Sequence, residues 1–323
     1  MKEHDVRIVF MGTPDFAVAS LDILVRNGFN VVGVITAPDR QAGRGRKLSQ
    51  SPVKKYALEN GLKILQPERL KDESFLKDLR SLKPDLQVVV AFRMLPEAVW
   101  SLPPLGTFNL HASLLPQYRG AAPINWAVIN GERETGVTTF FIDKEIDTGK
   151  VIMWKKVDIG EDETAGELHD KLMITGASLV LDTVKKILTG DFTLIDQKDI
   201  EVDTGTLHSA PKIFKEDCRI NWSRDVSSVF NFIRGLSPYP GAFTEFLSPD
   251  GTHHFVKIFK ATKSESAKTT KSGILNTDGK NFIKISGKDG YINITELQIA
   301  GKKRMKTEEL LRGFHINNDW KII

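Results

Sequence analysis

Short apolar runs recur along the first part of the chain, at residues 6–11, 31–35, 62–65 and 86–91. Runs of this length between turn signals are typical of buried strands, and the intervening segments place apolar residues at helical spacing. Strands that alternate with helices predict a mostly parallel sheet wound with helices on both faces. We therefore expect a Rossmann-like α/β fold in this part of the chain.

Residues that typically start or end helices mark the next elements of the chain. Residues 123–129 start with Pro and end before Asn130-Gly131, which predicts a helix, and residues 136–142 predict a strand. Thr164 with Glu167 three positions later is a capping box at the start of a helix. That helix has an apolar stripe and stops at Gly190. The stripe consists of Leu168, Leu172, Leu179 and Val180.

We expect residues 1–190 to form a first domain and residues 191–208, which have no clear period, to form a linker. The pattern changes in residues 209–323. Short apolar runs there are separated by the Asp-Gly pairs 250–251, 278–279 and 289–290. Asp-Gly is a frequent turn between antiparallel strands. This region therefore predicts a second, smaller β-barrel domain of the oligonucleotide-binding (OB-like) type.

The composition is that of an ordinary globular protein: of 323 residues, 41% are hydrophobic and 27% charged. No run of eighteen apolar residues and no signal-peptide core occurs, so we expect a cytoplasmic location. The single Cys218 excludes an internal disulfide and fits a reducing compartment. Because no long apolar face is left over, a monomer is expected.

Charge is distributed unevenly between the two parts. The chain carries +4 overall, but residues 205–323 contain 19 Lys and Arg against 12 Asp and Glu, which leaves residues 1–204 with a negative balance. A basic second domain is typical of nucleic-acid binding. A solvated, lysine-rich face is an equally open interpretation.

Residues 105–120 hold the densest candidate chemistry. In a strand, Asn109 and His111 project from the same face, and Pro116 shows that the strand has ended before it. His111 therefore lies at a strand end. Ligands of open α/β sheets bind beyond the carboxyl ends of strands, so this is where a catalytic pair is expected. The alternative is a structural histidine that caps the strand.

A second polar loop follows the strand predicted at 136–142. Asp147 in this loop can face His111, where a carboxylate would orient the imidazole and stabilise its protonated form. An Asx turn before Gly149 is the alternative. The triplet Asp-Thr-Gly at 147–149 also occurs at 203–205, as in aspartic proteases. We reject that class because those enzymes are all-β and this pattern is α/β.

Several motifs together resemble those of one family. They lie at residues 11–16, 39–47, 108–116, 119–120, 146–149 and 233–238. On these motifs nearly the whole chain is similar to the methionyl-tRNA formyltransferase family. The first domain alone would resemble several folate-dependent formyltransferases and hydrolases, whereas the basic loop and the second domain point to tRNA. One departure is Arg93, which stands near the expected folate pocket where relatives usually carry glycine.

The resemblance implies a reaction and a set of site residues. It implies formyl transfer from 10-formyltetrahydrofolate to the amino group of methionyl-initiator tRNA. The residues themselves predict no metal, because His253 and His254 are adjacent and point to opposite faces of a strand. The implied catalytic residues are Asn109, His111 and Asp147. The implied folate-binding residues are Ser113, Leu114, Leu115 and Pro116. The implied contacts with the tRNA acceptor end are Arg44, Arg46 and Lys47, in a loop that could also be a plain flexible surface loop.

Three other functions remain as alternatives. A formyl-folate enzyme could act on a small amine or on water, and a non-enzymatic RNA-binding module could keep the same fold. Nicotinamide binding is disfavoured because Gly12 stands alone where the dinucleotide fingerprint requires three glycines.

Overall fold

The computed structural model describes residues 5–42, 47–201, 206–265 and 271–323. Its helices are α1 (Asp15–Arg26), α2 (Pro52–Glu59), α3 (Glu73–Ser81), α4 (Glu97–Trp100), α5 (Pro123–Ile129), α6 (Ala165–Thr189), α7 (Val226–Gly235) and α8 (Thr307–Leu311). Its first ten strands are β1 (Arg7–Gly12), β2 (Asn30–Ile35), β3 (Arg40–Ala42), β4 (Lys47–Ser49), β5 (Ile64–Leu65), β6 (Leu86–Val90), β7 (Thr107–His111), β8 (Arg119–Gly120), β9 (Glu134–Phe141) and β10 (Val151–Asp158). The remaining strands are β11 (Ser209–Ala210), β12 (Ala242–Leu247), β13 (His253–Glu265), β14 (Leu275–Thr277), β15 (Ile283–Ser286), β16 (Gly290–Ile299), β17 (Met305–Lys306) and β18 (Lys321–Ile322).

The chain folds into two compact units. The first comprises Met1–Gly120, Glu134–Asp158 and His169–Ser209, and the second comprises Ala121–Arg133, Ile159–Leu168 and Ala210–Ile323. The domain boundaries expected at 190 and 208 stay a prediction. Within the described ranges, none of the helices is long and apolar enough to cross a membrane.

The first unit is built on a seven-stranded sheet with the order β10-β9-β7-β6-β1-β2-β5. The strands from β7 to β5 are parallel, and β9 and β10 are antiparallel to their neighbours. The predicted Rossmann-like, mostly parallel sheet is confirmed. Strand β10 was missed because its exposed residues Trp154, Lys155 and Lys156 interrupt any strand period.

The carboxyl ends of the central strands meet at one edge of the sheet. Gly12 at the end of β1 lies opposite Val90 of β6, and Val90 lies opposite Leu110 of β7. A Cβ atom on Gly12 would come within 2.6 Å of Ala17 Cβ and 3.1 Å of the Val90 carbonyl oxygen. Only glycine therefore permits this close passage from β1 into α1, beside the strand that carries Asn109 and His111.

The capping box predicted at the start of α6 is present. Thr164 N donates to Glu167 Oε2 at 2.9 Å, and Glu167 N donates back to Thr164 Oγ1 at 3.3 Å. These bonds satisfy amide groups that a helix start otherwise leaves unpaired. The predicted stripe of α6 faces inward. Its buried members are Leu168, Leu172, Leu179 and Val180.

The second unit contains an antiparallel sheet with the order β14-β15-β16-β13-β12-β18, and β17 pairs with β16. The sheet forms a nearly closed barrel, which confirms the prediction of a second, smaller β-barrel. Helix α7 buries Val229, Phe230 and Ile233 in the same core as the inward residues of β13 and β16. Alternation along β16, with Ile292, Ile294 and other buried residues on one face, explains why this strand could be read from the sequence.

Candidate active site

Strand β7 carries Asn109 and His111 to the edge of the sheet. His111 is only 6% exposed, and its Nε2 lies 2.8 Å from the carbonyl oxygen of Tyr118. A carbonyl oxygen can only accept, so Nε2 is the ring nitrogen that carries a hydrogen in this contact. Tyr118 is itself held in place, because its amide donates to the His208 carbonyl oxygen at 2.7 Å. The other ring nitrogen, Nδ1, is thereby turned toward Asp147.

Asp147 and His111 lie side by side. Asp147 Oδ2 is 3.9 Å from His111 Nδ1 and accepts the Gly120 amide at 3.0 Å. The partner of the carboxylate is thus Gly120, not the Gly149 amide that an Asx turn would use. Asp147 has a φ of 56°, a left-handed conformation that Asp tolerates better than most residues. The structure therefore brings together two of the residues that the sequence proposed as catalytic.

A buried amide that sequence reasoning missed holds the Asp147 loop. Gln197, 2% exposed, donates from Nε2 to the carbonyl oxygens of Asp147 (2.9 Å) and Gly149 (2.8 Å). Its Oε1 accepts from Arg119 Nε at 3.0 Å and Nη2 at 2.6 Å. Gln197 thus joins the Asp147 loop to the segment that follows His111. No local pattern marked it, because its partners are 48 to 78 positions away in the sequence.

Asn109 lies two residues before His111 on the same face of β7 and is half-buried. Among the described residues its side chain has no hydrogen-bond partner. The backbone of Asn109 is fixed by the two neighbouring strands, because Asn109 pairs with Val89 of β6 and with Phe140 of β9. A fixed backbone with a free amide is the arrangement that a preorganised hydrogen-bond donor requires.

The stretch proposed to line the folate site turns sharply after β7. The Thr138 hydroxyl donates to the Ser113 carbonyl oxygen at 2.7 Å and accepts the Leu115 amide at 3.1 Å. Ser113 and Leu115 are buried, Leu115 in a cluster with Phe140 and others, and Pro116 is buried as well. Of the four proposed residues only Leu114 is half-exposed. What this stretch offers to a ligand is therefore Leu114 and backbone groups.

The proposed tRNA contacts fall largely outside the described residues. Arg44 and Arg46 lie there, as does the Asp-Thr-Gly triplet at 203–205, while Lys47 is the first residue of β4. Strand β4 pairs with β3 in antiparallel register, as the two arms of a hairpin do.

The base of this hairpin is anchored by Asp39. Its carboxylate accepts from Lys54 Nζ at 2.6 Å and from Gln66 Nε2 at 2.9 Å. These hydrogen bonds, first the one from Lys54 and then the one from Gln66, lower the pKa of Asp39. The carboxylate therefore stays ionised and joins the start of β3 to α2 and to the residue that follows β5.

Arg93, which the sequence analysis expects to depart from the family pattern, follows β6 and contacts a neighbouring loop. Its guanidinium donates to the carbonyl oxygen of Glu68 at 2.9 Å and to that of Pro67. Its carbon atom Cζ also lies 5.5 Å from the centre of the Phe92 ring. Partial burial lowers the pKa of Arg93, and the positive charge of Arg40 acts in the same direction. The side chain thus links two loops at the carboxyl edge.

In the part of the chain that the structure describes, no three His, Cys, Asp or Glu side chains are grouped closely enough to hold a metal ion. A metal-free reaction stays a prediction.

Comparison with known families agrees with this architecture. Residues 6–184 match the family described as formyl transferase, and residues 212–315 match the formyl transferase C-terminal domain. Fold and site thus define the class as a formyl transferase with a second, C-terminal domain.

Similar full-length proteins narrow the class of formyl transferase to one family. The chain is 58% identical over 322 residues to the methionyl-tRNA formyltransferase of Bacteroides fragilis, covering 100% of this chain and 99% of that one. It is 51% identical over 317 residues to the methionyl-tRNA formyltransferase of Flavobacterium johnsoniae, covering 98% of this chain and 99% of that one. The chain belongs to the methionyl-tRNA formyltransferase family.

Solved structures show the same fold at lower identity. One is the N-formyltransferase from Helicobacter canadensis in complex with folinic acid and dTDP-3-aminofucose, with 22% identity, a TM-score of 0.63, and coverage of 93% of this chain and 100% of that chain. Another is HypX from Aquifex aeolicus in complex with tetrahydrofolic acid, with 20% identity and a TM-score of 0.61. That match covers 95% of this chain and 47% of HypX.

Proposed function

We propose that this protein transfers the formyl group of 10-formyltetrahydrofolate to the free amino group of methionyl-initiator tRNA, giving formylmethionyl-tRNA for translation initiation. Family membership supports the reaction. The observation that carries the site is the placement of Asn109, His111 and Asp147, with 3.9 Å between His111 Nδ1 and Asp147 Oδ2 at the edge where the parallel strands end. One copy of the chain, acting in the cytoplasm, would suffice.

The chemistry fits these side chains. The folate donor supplies an activated formyl carbon, which the neutral amine attacks, and negative charge develops on the formyl oxygen. The free Asn109 amide would donate a hydrogen bond to that oxygen. Removing one donor of this kind typically costs about 2.7 to 4 kcal/mol of transition-state stabilisation.

His111 and Asp147 would move the proton. Their separation of 3.9 Å is longer than a hydrogen bond, so neither group is committed to the other. Asp147 would accept the proton that the attacking nitrogen loses and pass it to His111 Nδ1, and His111 Nδ1 would then give it to the N10 nitrogen that leaves. One C–N bond forms, one breaks, and the proton lost by the amine is balanced by the proton gained by the folate.

Transfer of a labelled formyl group to methionyl-initiator tRNA tests this proposal. We expect strong transfer by the wild type and losses of about 10²- to 10³-fold in kcat for Asn109→Ala and His111→Ala. Asp147→Ala should also be impaired. Matched controls are Asn60→Ala, His253→Ala and Asp170→Ala, three exposed residues of the same types that have no proposed role in the reaction. Transfer only to water or to a small amine would keep the catalytic residues and overturn the tRNA substrate.

Basic residues are proposed to hold the tRNA. Arg44, Arg46 and Lys47 would contact phosphates of the acceptor end, which positions the RNA without reading its bases. We expect the triple alanine variant to raise KM for tRNA and to weaken the dependence of binding on salt, since fewer phosphate contacts release fewer counterions. A variant with unchanged KM and salt dependence would show that the loop has no such role.

A further inference from the structure

The carbonyl oxygen that accepts the hydrogen of His111 Nε2 belongs to a residue in a rare backbone conformation. Tyr118 has a φ of 58°, in the left-handed region that bulky side chains seldom adopt. Its side chain is buried, at 4% exposure, and its carbonyl oxygen lies 2.8 Å from His111 Nε2. Such a conformation persists only where surrounding contacts hold it. Whatever holds Tyr118 therefore also decides where this carbonyl oxygen lies.

His208 holds Tyr118 through its backbone, its hydroxyl and its ring. The Tyr118 amide donates to the His208 carbonyl oxygen at 2.7 Å, and the Tyr118 hydroxyl lies 3.2 Å from His208 Nδ1. The two rings meet edge to face, with 5.7 Å between their centres and 87° between their planes, a favourable geometry for aromatic pairs. The two residues are 90 positions apart in the sequence. A long-range contact thus fixes Tyr118.

Gln117 fixes the segment that carries His208. Its Nε2 donates to the Thr206 carbonyl oxygen at 2.7 Å, and its Oε1 accepts the His208 amide at 2.8 Å. The backbone of Gln117 is held in turn, because its carbonyl oxygen accepts the Ser113 hydroxyl at 2.5 Å and its amide donates to the Leu114 carbonyl oxygen at 3.0 Å. Residues 206–208 and the turn after β7 therefore hold each other in place.

The contact with Tyr118 determines which nitrogen of the neutral His111 ring carries the hydrogen. A carbonyl oxygen only accepts, so it favours the tautomer with the hydrogen on Nε2. Nδ1 then has a free electron pair and lies 3.9 Å from Asp147 Oδ2. In the proposed reaction Nδ1 receives the proton from Asp147. The other tautomer already has a hydrogen on Nδ1 and could not accept it.

We propose that Tyr118 and His208 are positioning residues that keep His111 in the tautomer with the hydrogen on Nε2. His208 acts on Tyr118, and Tyr118 acts on His111 through its carbonyl oxygen. The inference rests on the proposed function, in which His111 Nδ1 carries the proton. Both residues affect the chemical step through His111 and not through the binding of either substrate.

NMR spectra of the protein with ¹⁵N-labelled histidine test the proposal, because the ring nitrogen shifts report the tautomer of each neutral imidazole. The His111 signals are identified by their absence in His111→Ala. We expect the hydrogen on Nε2 in the wild type, and a population with the hydrogen on Nδ1 in Tyr118→Phe and His208→Ala. In both variants kcat should fall about three- to tenfold, the ratio that corresponds to one hydrogen bond, with KM for both substrates unchanged.

A conservative variant and two matched controls separate positioning from a general loss of structure. His208→Asn, whose side-chain amide can reach the Tyr118 hydroxyl, should restore both the tautomer and kcat. Tyr56→Phe loses a hydroxyl bond of 3.0 Å to Asp22, and His254→Ala loses an edge-to-face contact of 5.5 Å with Phe314. Both controls should keep the wild-type tautomer of His111 and the wild-type kcat.

Two outcomes would overturn the inference. One is the same tautomer and the same kcat in the wild type, Tyr118→Phe and His208→Ala. The other is a lower kcat with an unchanged tautomer, which would give these residues a structural role only. A tautomer that depends on Tyr118 and His208, in a wild type that does not formylate tRNA, would overturn the proposed function and leave this inference standing. Formylation by a wild type whose tautomer persists in both variants would do the reverse.

Discussion

His111 and Asp147 face each other with 3.9 Å between Nδ1 and Oδ2, although the strands that precede them run in opposite directions. Strand β9 ends opposite Phe108, at the start of β7, so its carboxyl end lies away from His111. The carboxylate reaches the imidazole because the loop after β9 turns back and is bound to Gly120 and Gln197. The pair therefore depends on long-range contacts, not on the sheet alone.

Asp147→Asn tests whether the charge of this carboxylate matters. The amide can keep the shape and accept the Gly120 N–H, but it cannot accept a proton from the amine or stabilise protonated His111. We expect kcat for formyl transfer to fall by about 10²-fold, within the range for general acid–base groups, with little change in melting temperature. Asp191→Asn, at an exposed ion pair with Lys186, is the control. An unchanged kcat would remove Asp147 from the mechanism.

Gln197→Leu tests a positioning residue. The change removes the Gln197 donor from the buried carbonyl group of Gly149 and from the partly buried one of Asp147. A buried group left unsatisfied costs about 1 to 3 kcal/mol. We expect a lower free energy of unfolding in urea and a lower kcat, with KM for methionyl-tRNA nearly unchanged. Gln298→Leu, which loses one exposed bond to the Lys302 carbonyl oxygen, is the control. A loss of stability with wild-type kcat would mean that Gln197 is only structural.

Thr138→Val tests the turn after β7. Valine keeps the shape of the side chain but removes the hydroxyl that bonds Ser113 and Leu115. Because these groups are buried, we expect the free energy of unfolding to fall by about 1 to 3 kcal/mol. KM for the formyl-folate donor should rise if this stretch lines its site. Thr175→Val, whose hydroxyl bonds an exposed helical carbonyl, should stay close to the wild type in both measurements.

Glu167→Gln tests how the Glu167 carboxylate, at the start of α6, makes the stability of the protein depend on pH. Hydrogen bonds from the Thr164 amide and then the Thr164 hydroxyl lower the pKa of Glu167 below its usual 4.5. A lowered folded-state pKa gives stability that is present above the unfolded value and is lost as the pH falls through the folded one. We expect the melting temperature of the wild type to fall more steeply than that of Glu167→Gln below about pH 4.5. Parallel curves for the two proteins would contradict this assignment.

The elements that the sequence predicted correctly are those in which one face or both faces are buried. Helix α5 occupies residues 123–129 as predicted, because Pro123 and Asn130 mark its ends. Strand β10 was not predicted, because it lies at the edge of the sheet and exposes three consecutive residues. At the site, alternation placed Asn109 and His111 correctly on one face, but it could not orient Ser113 and Leu115, because the chain leaves β7 at His111. Gln197 could not be found from local patterns at all.

The hydrogen bonds of Gln197 bear on how the activity of the enzyme depends on ionic strength. Its hydrogen bonds to Asp147 and Gly149 join an uncharged amide to uncharged carbonyl groups, so dissolved ions have little to screen there. Attraction between RNA and the basic residues proposed to contact it, by contrast, would weaken steeply as ions are added. Ionic strength should therefore control the fraction of the enzyme that has tRNA bound. The rate of formyl transfer within the complex should stay nearly constant.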